Sequence, residues 1–119
     1  MRQMPTLLLV CGLLTACTGG GRGDWRADAI AAAEGKMRGL VNDPAASFSH
    51  VQLTGDASTG QTCGVIAAKV GIYTKEARFI VYIDNTAGPF VEPGLGQSMS
   101  QADFDWAWKN DCVNEGYKA

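Results

Sequence analysis

Apolar and polar positions change period along the chain and divide it into two helices with strands between them. Apolar residues at helical spacing follow Asp24, a residue type that can cap a helix: Ile30, Ala33, Met37, Leu40 and Val41. An alternating pattern then predicts a strand over 48–54, and two further strands are predicted over 62–70 and 78–83. A last helix is predicted to begin at Ser100, with one apolar face made by Phe104, Ala107, Trp108 and Cys112. This order of elements predicts an α+β fold.

The segments between the predicted strands carry turn-forming residues. Residues 54–61 are polar and rich in Gly, Ser and Asp, so the first two strands are expected to form an antiparallel hairpin. We interpret 71–76 as an exposed tip, 84–89 as the turn that ends the sheet, and 90–99 as a Gly- and Pro-containing loop. Because the third strand has apolar residues on both faces, it is predicted to be the centre of a three-stranded sheet, with a helix covering one side.

The first residues have the layout of a secretory signal. A basic start at Arg2 is followed by an apolar run over 7–14, and small residues precede Cys17. That run is too short to span a bilayer, which needs about 20 apolar residues. The sequence Leu14-Thr15-Ala16-Cys17 resembles the lipobox of bacterial lipoproteins, in which the Cys is linked to diacylglycerol and becomes the mature N-terminus. An ordinary secretory signal cleaved nearby is the alternative.

The lipoprotein resemblance implies a division of the chain and a location. Residues 1–16 would be the signal peptide, 17–23 a Gly-rich tether, and 24–119 one small domain. Two acyl chains on Cys17 would anchor the domain stably to a membrane. Lipoproteins retained in the inner membrane carry Asp after the lipidated Cys. Because Thr18 stands there, we expect the periplasmic face of the outer membrane.

Lipidation also simplifies the cysteine count. With Cys11 removed and Cys17 lipidated, the exported body keeps Cys63 and Cys112, which we expect to be bridged in an oxidising compartment. The bridge would join the last helix to the second strand. A redox or metal pair is the weaker alternative, because the chain has no Cys-x-x-Cys and His50 is its one histidine.

The body resembles a group of small, uncharacterised bacterial and prophage-encoded envelope proteins. The shared pattern is an Asp-Pro followed by small residues and Phe, a Cys-Gly with a Lys beyond it, an Arg-Phe-Ile strand and a late Cys. In this chain the pattern is met by Asp43-Pro44, Phe48, Cys63-Gly64, Lys69, Arg78-Phe79-Ile80 and Cys112. The resemblance covers roughly 40–112 and implies a fold without implying any chemistry.

Charge and motif content weigh against several functions. The net charge is −2, and no basic patch typical of nucleic-acid binding is present. No phosphate loop, zinc-ligand spacing or calcium loop is found, so we expect no cofactor and no metal. A Ser, His and Asp triad would have to use His50 beside Ser49 on a predicted strand, where a solvent-facing role is more common. We therefore expect a protein that is not an enzyme.

The candidates for partner contacts are aromatic residues predicted to lie outside the core. Tyr73 at the tip, Tyr82 on the third strand and Trp106 off the packed helix face could contact a partner, because aromatic residues dominate binding hot spots. The alternative is that Tyr82 and Trp106 pack beneath the loop over 90–99. An unpaired sheet edge offers a second mode of contact.

These observations favour a non-enzymatic, lipid-anchored envelope domain that binds a protein or a cell-wall component. A periplasmic inhibitor of a cell-wall hydrolase is the second hypothesis, because size, lipidation and disulfide resemble those of the lysozyme-inhibitor lipoproteins. An exposed rigid loop carrying Tyr73 or Lys75 would support it. A small hydrolase that uses His50 is the third.

Overall fold

The computed structural model describes residues 25–95 and 99–118. The predicted signal peptide, the whole tether over 17–23 with Cys17, and the predicted cap Asp24 lie outside the described residues. Helix α1 spans Trp25–Leu40. The four strands are β1 (Ser47–Thr54), β2 (Gln61–Val70), β3 (Tyr73–Tyr82) and β4 (Phe90–Val91). Helix α2 (Gln101–Trp108) continues into a π-helical turn (Lys109–Val113).

The strands form one antiparallel sheet in the order β1-β2-β3-β4. The prediction of an α+β fold is confirmed, but the sheet has four strands where the sequence predicted three. The additional strand pairs Phe90 with Ile80 and Val91 with Phe79. It was missed because a strand of two residues between Pro89 and Pro93 is too short to show an alternating pattern. β2 and β3 are therefore both internal strands.

Helices cover both faces of the sheet, where the sequence predicted cover on one. Against α1, the core includes Met37, Ile66, Phe79, Val81 and Val91. Against α2 and its π-helical turn, it includes Cys63, Ile80, Phe104, Trp108 and Cys112. The predicted apolar faces of both helices pack on the sheet: Ala33 and Met37 are buried in α1, and Phe104, Ala107 and Trp108 in α2. Ser100 caps α2 as predicted, by accepting a hydrogen bond from the Asp103 N–H at 3.0 Å.

A β-bulge in β1 places its apolar side chains on one face. The register with β2 shifts between Ser49 and Gln52, and His50 has a φ of 54°. In a regular strand Phe48 and Val51 would point to opposite faces. With the extra residue both face α1: Phe48 meets the Phe79 ring edge-on at 5.6 Å, and Val51 packs over Gly64.

The connection between β2 and β3 is tighter than the predicted tip over 71–76. Residues 73–76 belong to β3 and pair with 67–70 of β2, so the turn consists of Gly71 and Ile72. Gly71 has a φ of 64°, a conformation that favours glycine in a two-residue hairpin turn. The strand extension was missed because both of its faces are exposed there, which removes the alternation of apolar and polar residues.

The predicted disulfide is confirmed. Cys63 of β2 and Cys112 of the π-helical turn are bonded, with Cα atoms 6.1 Å apart. Both residues are fully buried. The bond fixes the end of α2 to the second strand, as the sequence predicted.

Candidate functional site

Among the described residues, three of the five exposed large apolar side chains lie together at one end of the molecule. We call Val70, Gly71, Ile72 and Tyr73 the hairpin tip. Their exposed fractions are 44% for Val70, 86% for Ile72 and 73% for Tyr73. Lys69 and Lys75 are also exposed and flank the tip. Exposed apolar and aromatic side chains grouped in this way are typical of protein contact surfaces.

The base of the hairpin tip is held by backbone hydrogen bonds. β2 and β3 pair without interruption from Gln61 and Tyr82 to Val70 and Tyr73. Beside the tip, the Lys69 N–H donates to the Asp43 carboxylate at 3.0 Å. Hydrogen bonds from the backbone N–H groups of Lys69 and Ala45 lower the pKa of Asp43, so the carboxylate stays charged at neutral pH. The tip is therefore presented by a paired and anchored ribbon.

The three aromatic residues predicted as partner contacts lie apart. Tyr73 belongs to the hairpin tip, whereas Tyr82 is at the opposite end of β3, a strand of 10 residues that is about 30 Å long. Tyr82 is half-buried, meets Phe90 edge-on at 5.8 Å, and donates a hydrogen bond to the Asp111 carboxylate. Burial, with that hydrogen bond, raises the pKa of Tyr82. Trp106 is 68% exposed on α2. No common patch unites the three.

A charged cluster fixes the start of α2 to the sheet. The Arg78 guanidinium contacts the Glu92 carboxylate at 2.8 Å and the Asp105 carboxylate at 2.6 Å. Gln101 donates hydrogen bonds to the same two carboxylates. The guanidinium also lies over the rings of Phe104 and Trp108, at 5.3 and 5.1 Å from their centres. We call these residues the Arg78 cluster.

The cluster lowers the pKa of both its carboxyl groups. Burial acts to raise the pKa of Glu92, but hydrogen bonds from Arg78 and Gln101 outweigh it and the net pKa is lowered. Hydrogen bonds from Gln101 and Arg78 lower the pKa of Asp105. Both groups are therefore charged at neutral pH, and with Arg78 they give the cluster one net negative charge, which does not attract an anion. The sequence signal that could have found the cluster is a lone arginine between apolar residues of a central strand.

A cavity of about 560 Å³ lies beside the cluster, lined by His50, Val65, Arg78, Trp108, Val113 and Tyr117. The Trp108 ring already contacts Phe104, Arg78 and Tyr117, so its faces are occupied within the fold. The backbone carbonyl of His50 accepts a hydrogen bond from the Tyr117 hydroxyl at 2.8 Å. In the described part of the chain, no hydrogen bond joins the His50 side chain to Ser49 or to an Asp, so the arrangement needed for a catalytic triad is not assembled there.

In the described ranges 25–95 and 99–118, no group of three or more His, Cys, Asp or Glu residues could hold a metal ion. None of the helices there is long and apolar enough to cross a membrane. Comparison with protein-family models, curated proteins and solved structures finds no match to the chain. The hairpin tip is thus the candidate site, on the strength of its own geometry.

Proposed function

We propose that this chain is a lipid-anchored protein of the bacterial envelope that binds a protein or cell-wall partner through its hairpin tip and performs no catalysis. The observation that carries the binding function is the exposure of Val70, Ile72 and Tyr73 at the end of a fully paired ribbon. Burying three such side chains in a partner would favour association, since each contributes about 1.5–3 kcal/mol when it leaves water completely.

The location rests on two features. The lipobox-like sequence at Leu14 to Cys17 favours lipidation. The buried Cys63–Cys112 disulfide favours an oxidising compartment, because disulfides persist in secreted and periplasmic proteins and are rare in the cytosol. Together they support attachment through Cys17 in the envelope, and Thr18 after that Cys favours the periplasmic face of the outer membrane.

The lipid anchor is tested by the intact mass of the full chain, expressed in a diderm bacterium and recovered from the membrane fraction. A chain that begins at Cys17, carries diacylglycerol and lacks two hydrogens is expected. A matched Cys17→Ala variant should appear without lipid in the soluble fraction. Recovery of an unlipidated wild-type chain would overturn the anchor.

The binding function is tested by two polar substitutions in the tip, Ile72→Ser and Tyr73→Ser. We expect the pair to reduce partner binding at least tenfold and to change the free energy of unfolding by less than about 0.5 kcal/mol, because exposed side chains contribute little to the fold. Val113→Ser is the matched control, since Val113 is also an exposed apolar residue, lies on a different element and is not among the predicted partner contacts. Equal effects of the tip variant and the control would argue against the tip as the binding site.

A second candidate function is inhibition of a cell-wall hydrolase. A narrow, rigid hairpin that carries Tyr73 and Lys75 suits insertion into an active-site cleft, and the ammonium of Lys75 complements the paired carboxylates used by glycosidases. The expected result is inhibition of a muramidase at micromolar concentration that is lost in Lys75→Glu and retained in Lys109→Glu. Absence of inhibition of any muramidase at that concentration would exclude this function.

A further inference from the structure

One edge of β3 is only partly covered. β4 pairs with Phe79 and Ile80 only, although β3 begins at Tyr73. The next residue, Arg78, is covered by Glu92: the Glu92 N–H donates to the Arg78 carbonyl at 3.1 Å, and the Arg78 N–H donates to the Glu92 carboxylate at 2.7 Å. The Glu92 carboxylate thereby takes the place of a backbone carbonyl and ends the backbone hydrogen bonding between β3 and β4. Among the described residues, no strand pairs with β3 between Glu92 and the hairpin tip, although Gly94 lies beside the Lys75 side chain.

The free backbone groups can be assigned from the alternation of a strand. The N–H and C=O groups of successive residues point to opposite neighbours, so Glu76 and Thr74 point the same way as Arg78. Among the described residues, none makes a hydrogen bond to the outward backbone groups of Thr74 or Glu76. Two donors and two acceptors, with the spacing of a strand, therefore stand in line beside the exposed tip.

A second copy of this chain fits this edge poorly. The antiparallel register that uses both Thr74 and Glu76 of each copy is centred on Lys75. It places Lys75 directly opposite the Lys75 of the other copy, at the closest type of pair in a sheet. Like charges at that position are destabilising, so the edge disfavours self-association.

The position of the edge also favours a protein over a lipid surface. Asp43, just after α1, contacts Lys69 beside the tip, whereas Asp28 and Ala29 near the start of α1 lie by Tyr82 and Ile83. The tip and Trp25 are therefore at opposite ends of α1, a helix of 16 residues that is about 24 Å long. When the membrane attachment precedes Trp25, the hairpin tip lies at the end of the domain away from the membrane and faces the surrounding compartment.

We infer that an extended segment of another protein adds as a strand to β3 at Thr74 and Glu76 and covers the hairpin tip. This inference names the mode of binding for the proposed partner-binding function, on which it rests. The added strand would lie along the backbone of β3 from Glu76 toward the hairpin tip, beyond the point where Gly94 passes the Lys75 side chain. It would place an acidic side chain opposite Lys75 and an apolar one over Tyr73, because cross-strand pairs of these kinds stabilise a sheet.

The test places a photo-cross-linking amino acid at Ile72 of the full chain, expressed with its own leader in a diderm bacterium. Three forms are compared: Thr74, Thr74→Val and Thr74→Pro. Proline removes the outward N–H and leaves the pairing with β2 intact, since that N–H does not face β2, while valine keeps the N–H. We expect a single protein adduct, retained within twofold in Thr74→Val and reduced at least tenfold in Thr74→Pro.

A second pair, Glu76→Gln and Glu76→Pro, repeats the comparison at the other free N–H, which covers the case in which one proline variant does not fold. Folding of each variant is read from protection of the disulfide and from its urea midpoint. An adduct that is equally strong in folded proline variants, an adduct with phospholipid alone, or no adduct at all overturns strand addition. Intact mass from the same cells reports lipidation of Cys17, so failure of the anchor is distinguished from failure of the strand.

Discussion

At the scale of single residues, Arg78 has the largest number of different roles. It belongs to β3, but its guanidinium holds carboxylates of the segment after β4 and of α2, and it lies over two aromatic rings. Because the guanidinium group is planar and carries several N–H donors, it can make these contacts at the same time. The side chain is 32% exposed, so solvent screens its charge and the cluster is worth less than a fully buried ion pair.

Replacement of the guanidinium is expected to destabilise the fold. Arg78→Met should lower the free energy of unfolding by about 2 kcal/mol, because two half-covered carboxylates lose their charged hydrogen-bond partner. Arg78→Lys should lose about half as much, since an ammonium keeps the charge but not the fork. Urea unfolding measures both. An unchanged urea midpoint in Arg78→Met would show that water replaces the guanidinium without cost.

The Arg78 cluster also predicts a dependence of stability on pH. The pKa values of Glu92 and Asp105 are lowered in the folded protein from ordinary values of 4.5 and 3.8. A lowered folded-state pKa stabilises the protein fully above the unfolded-state value, and the contribution is lost as pH falls through the folded-state value. The free energy of unfolding should therefore decrease below about pH 4.5. Urea unfolding at a series of pH values measures this decrease.

Arg78→Met serves as the control for this pH dependence. The pKa of Asp56 is lowered to about 2 by the N–H groups of Thr59 and Ser58, and the pKa of Asp43 is lowered as well, but both effects are common to the two proteins. The difference between the curves thus reports the part of the lowered pKa values of Glu92 and Asp105 that Arg78 causes, since Gln101 is present in both proteins. If the free energies of unfolding of wild type and Arg78→Met fall in parallel as the pH decreases, the Arg78 cluster is not the source of the pH dependence.

At the scale of elements, the sequence predicted those in which at least one side faces the core. Both helices and the strand over 48–54 have one such side, and the strands over 62–70 and 78–83 have two. The cap at Ser100 was predicted from its residue type. The extension of β3 over 73–76 and the strand Phe90–Val91 were not predicted, since the former is exposed on both sides and the latter has two residues. Partner contacts at Tyr73, Tyr82 and Trp106 stay predictions. The free edge beside Tyr73 could not be predicted without knowledge of where β4 ends.

Gly60 lies where an added side chain would clash, and Gly35 lies in a helix where an added side chain has room. A Cβ at Gly60 would lie 2.4 Å from the backbone oxygens of Asp56 and Thr54, whereas a Cβ at Gly35 of α1 meets nothing within 4 Å. Gly60→Ala should lower the free energy of unfolding by about 1–3 kcal/mol, because the backbone must move. Gly35→Ala should raise it by up to about 1 kcal/mol through helix propensity. Thermal unfolding measures both, and a destabilising Gly35→Ala would mean that α1 needs glycine there for another reason.

At the scale of the whole molecule, a small domain with two thin cores depends on its covalent bond. Cys63 and Cys112 are 49 residues apart in sequence and close a loop that contains β3, β4 and α2. Closing a loop of this length stabilises a fold by about 4 kcal/mol in the chain-entropy model. The bond also connects β2 to the core beneath α2, which includes Ile80, Phe104, Trp108 and Tyr117.

Removal of the disulfide is expected to cost most of that amount. The double variant Cys63→Ala and Cys112→Ala should have a free energy of unfolding lower by about 4 kcal/mol, measured in urea. Thiol labelling of the unfolded wild-type body without reductant should find neither cysteine reactive, and labelling after reduction should find both. Two reactive thiols without reductant would contradict the bond.

Two contacts of different chemistry attach helix α2 to the sheet, one near its middle and one just beyond its end. Asp105 is held by Arg78 through charge, and Cys112, just beyond the helix, is held by a covalent bond. Strong acid removes the first attachment and leaves the second. We expect the helix then to open locally about Cys112, so that a fluorescent hydrophobic dye binds to Phe104 and Trp108 while amide exchange stays slow in β2 and β3. Loss of amide protection in the sheet at the same pH would instead indicate that the domain unfolds as one unit.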